Sequence, residues 1–98
     1  MGLLSLFKHK PKPELYSGGS GESEESAIVI NATATGVGIP AEYFYVMQVC
    51  GEKDVDWTLE SQVLTEDEVR QYDVLTVKLK DGTTREFWFD ITAFFGKH

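Results

Sequence analysis

From Tyr72 to Phe95 the chain alternates strictly on either side of Asp81-Gly82. Leu75, Val77 and Leu79 are interleaved with Val74, Thr76, Lys78 and Lys80, and then Phe87, Phe89 and Ile91 with Glu86, Trp88, Asp90 and Thr92. Successive strand side chains point to opposite faces, so this pattern around an Asp-Gly turn commits the segment to a β-hairpin with one face in a core. Its register follows from burial. A two-residue turn, Asp81-Gly82, would pair Leu75 with Trp88 and send Phe87, Phe89 and Ile91 to the opposite face. A three-residue turn, Lys80-Asp81-Gly82, pairs Leu79 with Thr83, Leu75 with Phe87 and Val74 with Trp88. The odd positions of both strands then share a face. A one-residue slip would flip every side chain, so burial selects the second register. Gly82 is then expected in the left-handed region, as a G1 bulge.

Ahead of the hairpin, Ala27-Ile28-Val29-Ile30 is a short apolar run, suited to a strand buried on both faces. Ile39 to Cys50 reads as a helix, with Pro40 at its first position, Glu42 in its first turn and Gly51 just past its end. On a helical wheel Tyr43, Phe44, Val46, Met47 and Cys50 form the core arc, and Glu42, Tyr45, Gln48 and Val49 the other. Asp54 to Leu64 reads as a half-buried strand, and Thr65-Glu66-Asp67-Glu68 matches a capping box that starts a helical turn. The expected fold is α+β: one helix packed on a mainly antiparallel four-stranded sheet, in the order β-α-β-β-β, two layers deep. In outline this is similar to cystatin-like folds and to several small bacterial immunity proteins, a likeness of architecture that no motif extends to function. The expected core is Ile28, Ile30, Tyr43, Val46, Met47, Trp57, Leu59, Leu75, Val77, Leu79, Phe87, Phe89 and Ile91.

Residues 1–25 read as a disordered tail and residues 26–98 as the folded domain. Lys8, Lys10 and Lys12 mix with Pro11 and Pro13, and Ser17-Gly18-Gly19-Ser20-Gly21 has linker composition. Met1, Leu3, Leu4, Leu6 and Phe7 are too few for a signal-peptide core and precede the lysines, so the expected compartment is cytoplasmic. The same apolar-then-basic segment is a candidate anchor, for an anionic membrane or a partner groove.

The net charge of −7 opposes nucleic-acid binding, which relies on clustered Lys and Arg. The single cysteine, Cys50, permits no intrachain disulfide and lies far from the two histidines, His9 and His98. Without an imidazole beside it, Cys50 reads as an inert core residue. Gly36-Val37-Gly38 lacks the further residues of a phosphate-binding loop and reads as a loop needing positive φ. Glu52, Asp54, Asp56 and Glu60 lack the central glycine of a calcium loop. No catalytic or metal-ligating set is expected, and neither a cofactor nor a small-molecule substrate is implied.

Trp88 alternates out of step with Phe87 and Phe89, on a face shared with Tyr72, Val74, Glu86 and Asp90. An aromatic cluster rimmed by charge needs a cover: a partner, a second copy, the tail or the Thr65–Tyr72 segment. The expectation is a non-catalytic protein-interaction module that binds a protein partner or itself. Its contact residues would be Tyr72, Val74 and Trp88 on the sheet, or Tyr45 and Val49 on the helix. The alternative is a peripheral adaptor tethered to a membrane by its N-terminal segment.

Overall fold

The computed structural model describes residues 14–97. Six elements follow in order: β1 (Tyr16–Gly18), β2 (Ile28–Ile30), α1 (Thr35–Cys50), β3 (Trp57–Glu66), β4 (Gln71–Leu79) and β5 (Thr84–Asp90). The strands form one sheet in the order β1-β2-β5-β4-β3. The α+β class with one helix against a sheet is as expected. The sheet, however, has five strands where four were expected, and it is mixed, because β2 runs parallel to β5. No helix among the described residues is long and apolar enough to cross a membrane.

The extra strand moves the expected start of the fold from Ser26 back to Tyr16. Tyr16 pairs with Ile30, and its hydroxyl donates to the Ala41 carbonyl at 2.6 Å. Its ring meets Tyr45 edge-on at 5.2 Å. One aromatic ring thus ties a Gly- and Ser-rich segment to both layers. Residues 1–13 of the expected tail, with the membrane-anchor candidate, lie outside the described residues, and residues 19–25 belong to the loop between β1 and β2.

The β4–β5 hairpin takes the register that burial selects. Leu75 pairs with Phe87, Val74 with Trp88 and Tyr72 with Asp90. Gly82 has φ +88° and donates its N–H to the Leu79 carbonyl, closing the three-residue turn. Ile28, Ile30, Val46, Trp57, Leu75, Val77, Phe87, Phe89, Ile91 and Phe94 form the buried apolar core. Trp57 is pinned there by its indole N–H, which donates to the Gly51 carbonyl at 2.8 Å.

The helix departs most from expectation. It begins at Thr35, four residues before Ile39, so Pro40 lies inside it and Gly36-Val37-Gly38 is helical rather than a loop. Gly38 serves close approach, not positive φ: a Cβ there would lie 2.4 Å from the Phe94 ring. Seating Phe94 on Gly38 fixes the helix's rotation. Gly38, Ala41, Glu42 and Val46 face inward, while Phe44 and Met47, both assigned to the core arc, are exposed. Tyr45, assigned to the opposite arc, packs edge-on against Phe87 and Phe89. Val37, Ile39, Phe44, Met47 and Val49 are all exposed, so α1 is apolar on every side and its periodicity does not select a face.

Two further corrections are local. The second expected strand starts at Trp57 rather than Asp54, because residues 53–56 form a tight turn with Asp54 at φ 66°. The expected capping box does not start a helical turn. Thr65 and Glu66 finish β3, and the Asp67 carboxylate accepts the Val69 and Arg70 N–H groups to close a hairpin turn. These bonds hold the Asp67 carboxyl below the usual range.

Candidate functional site

The chain after β5 forms a turn over residues 91–97. Ile91 accepts the Phe94 and Phe95 N–H groups, and Lys97 accepts the first helical N–H, from Thr35. The C-terminal turn therefore caps α1 in place of a side chain. Between this turn, the first half of α1 and strands β3 and β4 lies a groove of about 440 Å³. Ile39, Leu64 and Phe95, all exposed, stand at its rim, and Ile91 and Phe94 lie below them.

Two carboxyl groups form the polar part of this groove. Glu42 from α1 is 1 % exposed and Asp73 from β4 is 5 % exposed, and both line it. Asp73 Oδ2 accepts a hydrogen bond from Gln62 Nε2 at 2.8 Å. Glu42 Oε1 and Asp73 Oδ1 are buried and receive no hydrogen bond. Burial, and then the neighbouring Asp73 carboxyl, push Glu42 up to about 10. Two carboxylates cannot both ionise at close quarters in a poorly solvated site, so at neutral pH the pair holds one proton and one negative charge. That proton, carried by Glu42, supplies the donor that the two oxygens otherwise lack.

The hairpin alternation placed Asp73 at an odd position, on the face of Leu75, Val77 and Leu79, where a carboxylate needs an explanation. That was the available signal. Glu42 gave none: the helical wheel places it on the arc opposite the core, whereas the structure turns it inward.

Of the two alternative surfaces expected to bind a partner, the sheet face brings Tyr72, Val74 and Trp88 together, while on the helix Tyr45 and Val49 are separated. Tyr72 and Val74 are buried, and Trp88 is half-buried with its indole N–H donating to Glu86 at 3.1 Å. Tyr72 and Trp88 meet edge-on at 6.0 Å. The cover on this face includes the chain's own β1–β2 loop. The Gly21 carbonyl accepts the backbone N–H of Trp88 at 2.8 Å, and Glu24 and Glu25 line a recess together with Tyr72, Arg70 and Asp90. Partial desolvation and then the Asp67 carboxyl push the exposed Glu24 carboxyl up. On the helix, Val49 is exposed while Tyr45 is turned into the interior.

Cys50 is half-buried against the core, and burial pushes its thiol up, partly offset by Arg85. Of the acidic run after the helix, Asp56 accepts the Glu52 N–H at 2.7 Å and pairs with Lys80 at 3.2 Å. Those contacts hold its carboxyl below the usual range. Comparison with known protein families, curated proteins and solved structures finds no match to this chain.

Proposed function

We propose that this chain is a non-catalytic interaction module whose docking surface is the groove between α1, β3 and the C-terminal turn. Its partner inserts a side chain between Ile39, Leu64 and Phe95. The observation that carries the reading is the groove itself: exposed hydrocarbon walls around one buried polar spot, the usual make-up of a recognition pocket. Pairing Glu42 with Asp73 costs stability, and polar groups placed at such a cost in a cleft are candidates for function. The outer sheet face supports docking less well, because the β1–β2 loop and neighbouring strands already bury Tyr72 and Val74.

The test is selection of peptides from a displayed random library against the full chain, followed by amide-shift mapping of the winners. Shifts are expected at Ile39, Leu64 and Phe95. Leu64→Asp, at an exposed position, is expected to keep the fold and abolish binding. Winners that map around Trp88, or that bind Leu64→Asp as well as wild type, would refute the groove.

A further inference from the structure

We infer that the group received by the groove is a primary ammonium, as on a lysine side chain of the partner, which displaces the proton shared by Glu42 and Asp73. The inference rests on the groove being the docking surface and adds the chemistry of what enters it.

The groove's polar lining is short of donors. Apart from the single proton held between them, Asp73 has Gln62 as its one hydrogen-bond donor, and the buried Glu42 Oε1 and Asp73 Oδ1 receive none from any other group. An ammonium brings three N–H donors and no acceptor, which matches that deficit. Its alkyl stem would lie along Ile39, Leu64 and Phe95, as long cationic side chains lay their methylenes on apolar surface while the charged end finds a polar partner. The net charge of −7 favours a cationic visitor at long range.

The exchange balances. In the free protein the pair carries one proton and a charge of −1. On binding, the Glu42 O–H bond breaks, the proton leaves to solvent, and the ammonium takes its place between two carboxylates. One cation replaces another, so the charge within the groove is unchanged. Other ionisable groups near the site are few. β4 contributes Asp73, β3 contributes the uncharged Gln62, and the C-terminal turn contributes Ile91, Phe94, Phe95 and Gly96 to the lining. Beside Glu42 on α1, the Tyr43 hydroxyl is pushed up by burial, then by Glu42 and Asp73, with Lys53 opposing. Tyr43 stays neutral across the working range, so the proton released is that of Glu42.

The probes are n-butylammonium and its neutral counterpart n-pentanol, titrated into the full chain and followed by amide shifts of groove residues. For so small a probe the dissociation constant is expected on the order of millimolar at pH 8. Because one proton leaves for each cation bound, affinity should rise about tenfold per pH unit between pH 6 and 9. Glu42→Gln keeps a neutral side chain able to donate to Asp73, so it should fold, bind the cation at least tenfold more weakly at pH 8 and show no pH dependence. Equal, pH-independent shifts from pentanol and butylammonium would overturn the ammonium inference while leaving the groove a docking site. Tighter binding of a guanidinium probe than of butylammonium would overturn the choice of ammonium. No groove shifts with either probe would count against both the inference and the docking reading.

Discussion

Asp73 and Asp90 sit on adjacent strands of one hairpin, on opposite faces of the sheet, and both are almost fully buried, at 5 % and 4 % exposure. Their surroundings differ completely. Asp90 accepts from Arg70 at 2.7 Å, from the Thr92 N–H at 3.0 Å and from the Thr92 hydroxyl at 2.6 Å. The Thr92 hydroxyl oxygen in turn accepts the Gln71 N–H at 3.0 Å, so this carboxylate fastens the C-terminal turn to β4. Asp73 has one donor, Gln62, and a second carboxyl for a neighbour. A buried charge that is fully paired has its role within the fold. A buried carboxylate whose neighbour must stay protonated, beside an open groove, is a candidate for a role outside it.

The largest expected effect breaks the better-paired site. Asp90→Ala removes acceptors for one guanidinium, one N–H and one hydroxyl, and should cost about 3 kcal/mol in a denaturant melt. A loss below about 0.5 kcal/mol would mean that the Asp90 network is decorative and that the contrast with Asp73 carries no information.

Glu42→Gln should do the opposite. The folded-state value of Glu42 is raised to about 10, so its contribution is fully present below the ordinary glutamate range and is lost as pH rises toward 10. At neutral pH folding must therefore drive a proton onto Glu42. A glutamine needs no proton, so the variant should be more stable than wild type by about 2 kcal/mol at pH 8, with the difference widening toward pH 9. Thermal melts across pH 5–9 check both the sign and the slope.

The smallest effect concerns the turn that keeps the two aspartates on their separate faces. A one-residue slip of β4 against β5 would reverse every side chain of the slipped strand. Gly82 has φ +88°, and a Cβ there would touch nothing within 4 Å, so Gly82→Ala should cost about 1 kcal/mol from backbone conformation alone. A neutral substitution would argue that the turn relaxes to another form.

Legibility in the sequence follows the range over which each feature is determined. The hairpin register depends on neighbours in sequence and on one glycine, and it was readable to the residue. The odd-position rule that placed Leu75 and Val77 in the core also placed Asp73 beside them. The rotation of α1 is set by Phe94 seated on Gly38, a contact between residues far apart in the chain, and apolar side chains surround the helix and erase its periodicity. Tyr16 was hidden for the same reason: among glycines and serines it looks like linker, and its meaning lies in the Ala41 carbonyl and the Tyr45 ring. Glu42 could not be assigned to the groove without that rotation.

The central claim is that Glu42 stands neutral beside Asp73 in the groove at physiological pH. The side-chain carboxyl ¹³C shift of Glu42, followed through a pH titration of the folded chain, reads this directly. The account predicts the shift of a protonated acid at pH 7, moving to that of a carboxylate only as pH approaches 10. A Glu42 signal that is already a carboxylate at pH 7 and titrates near pH 4.5, with the protein still folded, would contradict it.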